Sequence, residues 1–230
     1  MLVLALHLAR HHDSLISRPL PAGQALLIGL GAAVLVAFQG LWLVTQHVYT
    51  IAHEGAHALM GSVRGGKVGS VKLHRNGSGV TPVSHPGGRG AVLTGFIGYL
   101  GPSLFGLAAA RLVSLGYIRP VLWLAVILLA VLLLSVRNPF GFLTVIATGG
   151  FLFLVARSGR AGLEAVVAYG LAWFLLLSGL RVALLVFRIG ADDAENLRTS
   201  TSVPRVVWFV LWLAGAAAAL WVGGRLLLSH

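Results

Sequence analysis

Long apolar runs, separated by short polar breaks, divide the 230-residue chain into segments 23–62, 90–113, 119–136, 139–156, 163–187 and 206–224. A helix rises about 1.5 Å per residue, so roughly 20 apolar residues cross a bilayer core about 30 Å thick. The last five runs each match one crossing. The first is too long for one upright span, and Gln39, Thr45, Gln46 and His47 interrupt it with polar groups. Two spans, or one tilted and broken helix, both satisfy it. The pattern predicts an all-α polytopic membrane protein with about six to seven transmembrane helices, a single integral-membrane domain over 1–230.

The breaks carry their own signals. Residues 1–22 mix a short apolar start with Arg10, His11, His12, Asp13 and Arg18, and end in Pro19 and Pro21, which reads as a cytoplasmic or interfacial tail. In the loop 63–89, Val68, Val71 and Leu73 precede Asn76-Gly77, and Val80 and Val83 follow it. Asn-Gly between β-type residues predicts a small β-hairpin. Gly95, Gly98, Gly101 and Pro102 predict a closely packed, kinked span. Asn138-Pro139 reads as an N-cap followed by proline at the first helical position. A polar loop, 188–205, precedes the last span.

Composition excludes a soluble domain: 57% of residues are hydrophobic and 10% charged, with a mean hydropathy of +0.90. The net charge of +11 does not point to nucleic acid, because the positives lie mostly between the apolar runs. Counted by crossing, Arg64, Lys67, Lys72, Arg75, Arg89, Arg137, Arg188, Arg198 and Arg205 fall on one side. Arg111, Arg119, Arg157, Arg160 and Arg225 fall on the other. The bias assigns the first side to the cytoplasm. The start of the chain lacks a small-residue cleavage site, so no cleaved signal peptide is expected. Arginine far outnumbers lysine, and Ala, Gly, Leu and Val abound, as in GC-rich bacterial genomes. The expected location is a bacterial inner (plasma) membrane. There is no cysteine, so any metal must be held by His, Asp or Glu.

The run 23–62 ends in His53-Glu54-Gly55-Ala56-His57. On a helix His53 and His57 are one turn apart and face the same way, suited to two corners of a tetrahedral Zn²⁺ site. Glu54 beside them is placed to take a proton from the water such a metal activates. A plain polar patch lining a pocket is the competing account. Three ionisable groups in five residues of a span, at ligand spacing, favour the metal.

A hydrolytic zinc site needs a third protein ligand. The chain offers six carboxylates: Asp13, Glu54, Glu164, Asp192, Asp193 and Glu195. Four spans separate the loop 63–89 from the loop 188–205, which places both on one side. Glu164 follows an odd number of crossings and lies opposite. Asp192, Asp193 and Glu195 remain. Asp192 with Glu195 has the spacing of a helix-capping pattern, which leaves Asp193 as the expected ligand and Asp192 as the alternative. Secondary candidates are Asn138, a hydrogen-bond partner for substrate backbone or simply a cap, and Arg181. Arg181 could face Asp193 or stabilise an oxyanion, with snorkelling to the interface the favoured account. His47 falls on another face of a continuous helix, and His74 and His85 read as surface residues. Trp123, Trp173, Trp208 and Trp221 read as anchors and packing residues.

With these residues in hand, the chain resembles the M50 peptidases, the site-2-protease-like intramembrane zinc metalloproteases, and within them the bacterial M50B-like branch. The resemblance runs through Thr50–Leu59, the Leu73-His74 to Gly79 hairpin, Gly98-Tyr99, Arg137-Asn138-Pro139-Phe140-Gly141, and Asp193-Ala194 through Leu197 to Pro204. It implies one zinc inside the membrane and cleavage of membrane-embedded protein substrates. In one respect the chain departs from the pattern: better-known site-2 proteases take the third ligand from an Asp-Gly pair, and this chain has none, leaving Asp193-Ala194 as the substitute. The expected function is an intramembrane zinc endopeptidase, with lipid and a transmembrane substrate as partners and no nucleic acid. Its rivals are a non-proteolytic metal-binding or regulatory protein on the same scaffold and, behind that, a small-solute transporter. A strand edge beside the motif would suit an extended substrate.

Overall fold

A computed structural model describes residues 17–84 and 88–230. The tail before residue 17, with Asp13, and His85 lie outside the described residues. Helices α1 (Ala22–Ala37) and α2 (Gln39–Val63) come first, then strands β1 (Lys67–Val68), β2 (Lys72–Leu73), β3 (Gly79–Val80) and β4 (Val83–Ser84). Helices α3 (Gly88–Ser114), α4 (Ile118–Leu133), α5 (Pro139–Arg157), α6 (Ala161–Ile189), α7 (Asp192–Thr201) and α8 (Arg205–Leu227) follow.

The long first run is a broken helix. α1 and α2 meet at 101° across Phe38, whose backbone is extended. No proline lies at this break. Arg181 of α6 holds it open: its guanidinium donates to the carbonyls of Val36 and Ala37 and to Gln39 Oε1, and stacks 4.6 Å above Trp42. The carbonyls freed where α1 stops thus find a charged donor on the partly exposed flank of α6. Arg181 is thus placed as a latch at the break, with its guanidinium on α1 and α2 rather than on Asp193.

α6 is the axis of the bundle, with Ala168, Tyr169, Ala172 and Leu176 fully buried. Small residues let α3, α1 and α8 pack close around it. The outer faces keep large apolar side chains exposed, among them Leu27, Val44, Leu134, Leu143, Leu154 and Trp221. Such a surface belongs in lipid, and the chain is an integral membrane protein.

Length and composition confirm fewer crossings than the expected six to seven, with the short apolar α4 left outside that count. Four helices, α3, α5, α6 and α8, are long and apolar enough to cross, or five with α1 and α2 as one bent span. The run 119–136 yields only the 16-residue α4. It ends early because residues after Leu133 turn toward the hairpin: Val71 N–H donates to Ser135 O (2.9 Å), and Arg137 N–H donates to Val71 O (3.0 Å). The hairpin itself is present, β2 pairing antiparallel with β3 and β1 with β4. Gly77 at its tip has φ +85°, in the left-handed region that glycine adopts freely. Thr50 Oγ1 of α2 donates to Gly77 O (2.6 Å), tying the tip to the motif-bearing helix.

Candidate metal centre

α2 sets the rings of His53 and His57 edge to face, with centroids 4.7 Å apart and Nε2 atoms 3.1 Å apart. α7 supplies the third group. Asp193 Oδ2 lies 3.4 Å from His53 Nε2 and 3.2 Å from His57 Nε2. Bonds of about 2.0–2.1 Å in a tetrahedral zinc site imply ligand separations of about 3.3 Å. The three atoms are therefore spaced as one face of such a site, and these residues fit the ion.

α7 reaches the site because it is not a solvated loop. Ala194 and Leu197 are buried against the bundle, and Gly190, at φ +87°, turns the chain out of α6. Asp193 sits in the first turn of α7, where the helix dipole favours a carboxylate. Burial alone would raise its carboxyl, but hydrogen bonds from His53 and His57 outweigh that and hold it well below the usual carboxylate range. It stays an anion near neutral pH, and an arriving cation would displace imidazole protons.

The surroundings orient the ligands. His57 Nδ1 lies 2.7 Å from Thr94 O, which can only accept, so Nδ1 carries a proton and Nε2 is the nitrogen turned inward, bonded to Asp193 until a metal replaces its proton. Tyr99 packs edge-on against His53 (4.6 Å), and Tyr49, one turn earlier in α2, lies 6.0 Å from it. Gly98 forms a wall: a Cβ there would collide with the His57 ring and come within 3.0 Å of His53 Cε1. Glu54 is buried against Gly79 of β3, where any side chain would strike its carboxylate. Its Oε2 has no hydrogen-bond partner among the described residues. A buried carboxylate oxygen left bare is costly unless something arrives to use it. Tyr49, His53, Glu54, His57, Thr94, Tyr99 and Asp193 line one cavity of about 780 Å³, walled on one side by residues 76–83 of the hairpin.

The other sequence candidates fall elsewhere. Asp192 lines the cavity, but its carboxylate is not in the three-ligand group. The expected capping pattern does not form: Ala191 is the N-cap, without a side-chain bond, and Glu195 pairs with Arg198 (2.5 Å) and Arg205 (3.5 Å). Asn138 occupies the N-cap position of α5, yet its side chain does not cap. It clamps β2 instead, with Nδ2 donating to Leu73 O (2.6 Å) and Leu73 N–H donating to its Oδ1 (3.1 Å). Glu164 is at the opposite end of the bundle with Arg119. His47 packs on Phe140, and His74 is exposed. Thr94, Gly98, Tyr49 and Gly79 were not anticipated. Tyr49 alone was legible, being four residues before His53 on one helix face.

A membrane bundle that holds two histidines and an aspartate at metal-ligand spacing beside a buried glutamate defines a candidate intramembrane metallohydrolase. The chain belongs to the peptidase M50B-like family, whose model matches residues 26–223. Membership implies intramembrane metallopeptidase activity. No curated protein and no solved structure matches the chain.

Proposed function

We propose that this protein is a zinc-dependent endopeptidase that cleaves membrane-embedded protein substrates, with its active-site end toward the cytoplasm of a bacterial cell. The observation that carries the reading is the triangle of His53 Nε2, His57 Nε2 and Asp193 Oδ2 beside the bare Oε2 of Glu54. His53, His57 and Asp193 hold one zinc per chain. Bound zinc supplies the Lewis acidity that makes water a nucleophile near neutral pH.

Glu54 takes the proton from the attacking water and returns it to the leaving amine. Thr94 keeps His57 in the ligating tautomer through the reaction. The substrate must present an unwound peptide bond, because a helix hides its carbonyls. An edge is available for it. Residues 135–138 occupy one side of β2 and β3 the other, while β3 has a strand partner on one side only among the described residues. An extended segment pairing with the outer side of β3 would lie in the cavity next to Glu54.

The test uses the full chain in proteoliposomes with a transmembrane peptide substrate. Glu54→Gln should keep its zinc and lose cleavage by about 10²–10⁴-fold. Cleavage at the wild-type rate by that variant would refute the mechanism.

A further inference from the structure

A second cavity, of about 290 Å³, lies on the other face of α2. Ile51, Gly55 and Ala58 of α2 form its floor, and Ala125 and Leu129 of α4 one flank. The face of α2 bearing Tyr49, His53 and His57 looks into the metal cavity, so the two cavities share this one helix. Apart from a few hydroxyls the lining is apolar. In a bilayer such a groove does not stay empty, since acyl chains are the surrounding solvent.

One end of the groove is not apolar. Ser62, Val68 and Ser135 line it there, and Arg64, Lys67 and Arg137 stand within two residues of them along the chain. All three basic side chains are exposed, and among the described residues none pairs with a carboxylate. The described carboxylates other than Asp192 are committed elsewhere: Glu54 and Asp193 at the metal centre, Glu164 to Arg119, Glu195 to Arg198. An apolar slot closed at one end by segments that carry three exposed cations without a carboxylate partner among the described residues matches a molecule with an apolar chain and an anionic head.

We propose that this groove binds one anionic phospholipid, an acyl chain lying along α2 between α4 and α5 and the phosphate headgroup held by Lys67, Arg137 and Arg64. Basic pockets between membrane helices recognise anionic headgroups in this way. The bound chain buttresses the back of the helix that carries His53, Glu54 and His57. The site would work whether or not the protein cleaves peptides.

The full-length protein, delipidated in detergent, would be titrated with dioleoyl phosphatidylglycerol or dioleoyl phosphatidylcholine and read by native mass spectrometry. The two lipids share their chains and differ in head charge. Wild type should retain one phosphatidylglycerol at least about tenfold more readily, since each basic side chain near a headgroup contributes roughly fivefold. Lys67→Gln with Arg137→Gln should abolish the preference while leaving weak binding of both lipids. Ala125→Phe, which fills the groove, should lose both. Equal retention of the two lipids by wild type would overturn the proposal. So would an undiminished preference in the charge variant, whose two positions are exposed and tolerate glutamine without loss of fold.

Discussion

The bundle encloses a carboxylate near each end, Glu164 almost wholly and Asp193 in part, and the two are answered differently. At one end Glu164 is almost wholly buried, and Arg119 reaches both of its oxygens, Nε to Oε2 at 3.0 Å and Nη2 to Oε1 at 3.0 Å. That pair is complete within the chain, a planar fork on a planar carboxylate. At the other end Asp193 Oδ2 meets two imidazoles and no fixed cation. An imidazole is a cation only when protonated, and His57 has already given one ring N–H to Thr94. The contrast separates a structural ion pair from a site that a metal completes. Buried charge alone does not mark function; the missing counter-charge does.

The largest effect that could break the comparison is on metal content. Asp193→Ala and His57→Ala should each fall from about one zinc per chain to nearly none, while Glu164→Ala keeps its zinc. Elemental analysis of the purified proteins decides it, and zinc retained in Asp193→Ala would move the third ligand elsewhere. Next in size is Gly98→Ala. Its methyl group pushes the His57 ring, so cleavage should drop by about 10²-fold through misplacement of the ligands. Activity close to wild type would mean that the rings can give way.

At the far end the expected loss is in stability rather than activity. Arg119→Gln leaves the Glu164 carboxylate buried without a partner. Because Arg119 is itself about one-third exposed (37%), solvent softens the cost to about 2 kcal/mol, a few degrees in Tm. Adding Glu164→Gln should recover most of it, with zinc content unchanged throughout. If the single variant melted like wild type, the pair would be ornamental.

Much of the metal end was legible because its chemistry is local or scarce. The spacing of His53 and His57 follows from helix geometry, and with six carboxylates in the chain the crossing count leads to the α7 segment. What stayed hidden depends on tertiary partners. A broken helix was one of two alternatives for the first run, with Gln39 among its interruptions, but its place at Phe38 and its 101° angle rest on Arg181, more than 140 residues away. Asn138 was placed correctly at the start of α5, but its side chain went to the Leu73 backbone, 65 residues away in the chain. α4 is shorter than its apolar run because strand pairing with Val71 competes with the helix at Ser135. Gly98 and Gly79 read as packing or turn residues until the ring and carboxylate beside them are seen.

The smallest effect sharpens the comparison at a third carboxylate, Glu195, whose side chain is 43% exposed and which lies two residues from Asp193 on α7. Hydrogen bonds from Arg198 hold its carboxyl below the usual range, with Arg205 adding charge. A carboxyl whose folded pKa is depressed stabilises the fold above its unfolded pKa, and that contribution is lost as pH falls through the folded value. The pair should therefore steady α7 at neutral pH and let go in acid. Arg198→Ala should bring the Glu195 midpoint, followed by carboxyl NMR in detergent, up toward an ordinary carboxylate. Zinc content should not change, because Asp193 is placed by the burial of Ala194 and Leu197 rather than by this surface pair. Zinc lost along with the Arg198 side chain would show instead that α7 is held by its exposed charges. The Asp193 end would then differ from the Glu164 end in its packing as well as in its missing cation.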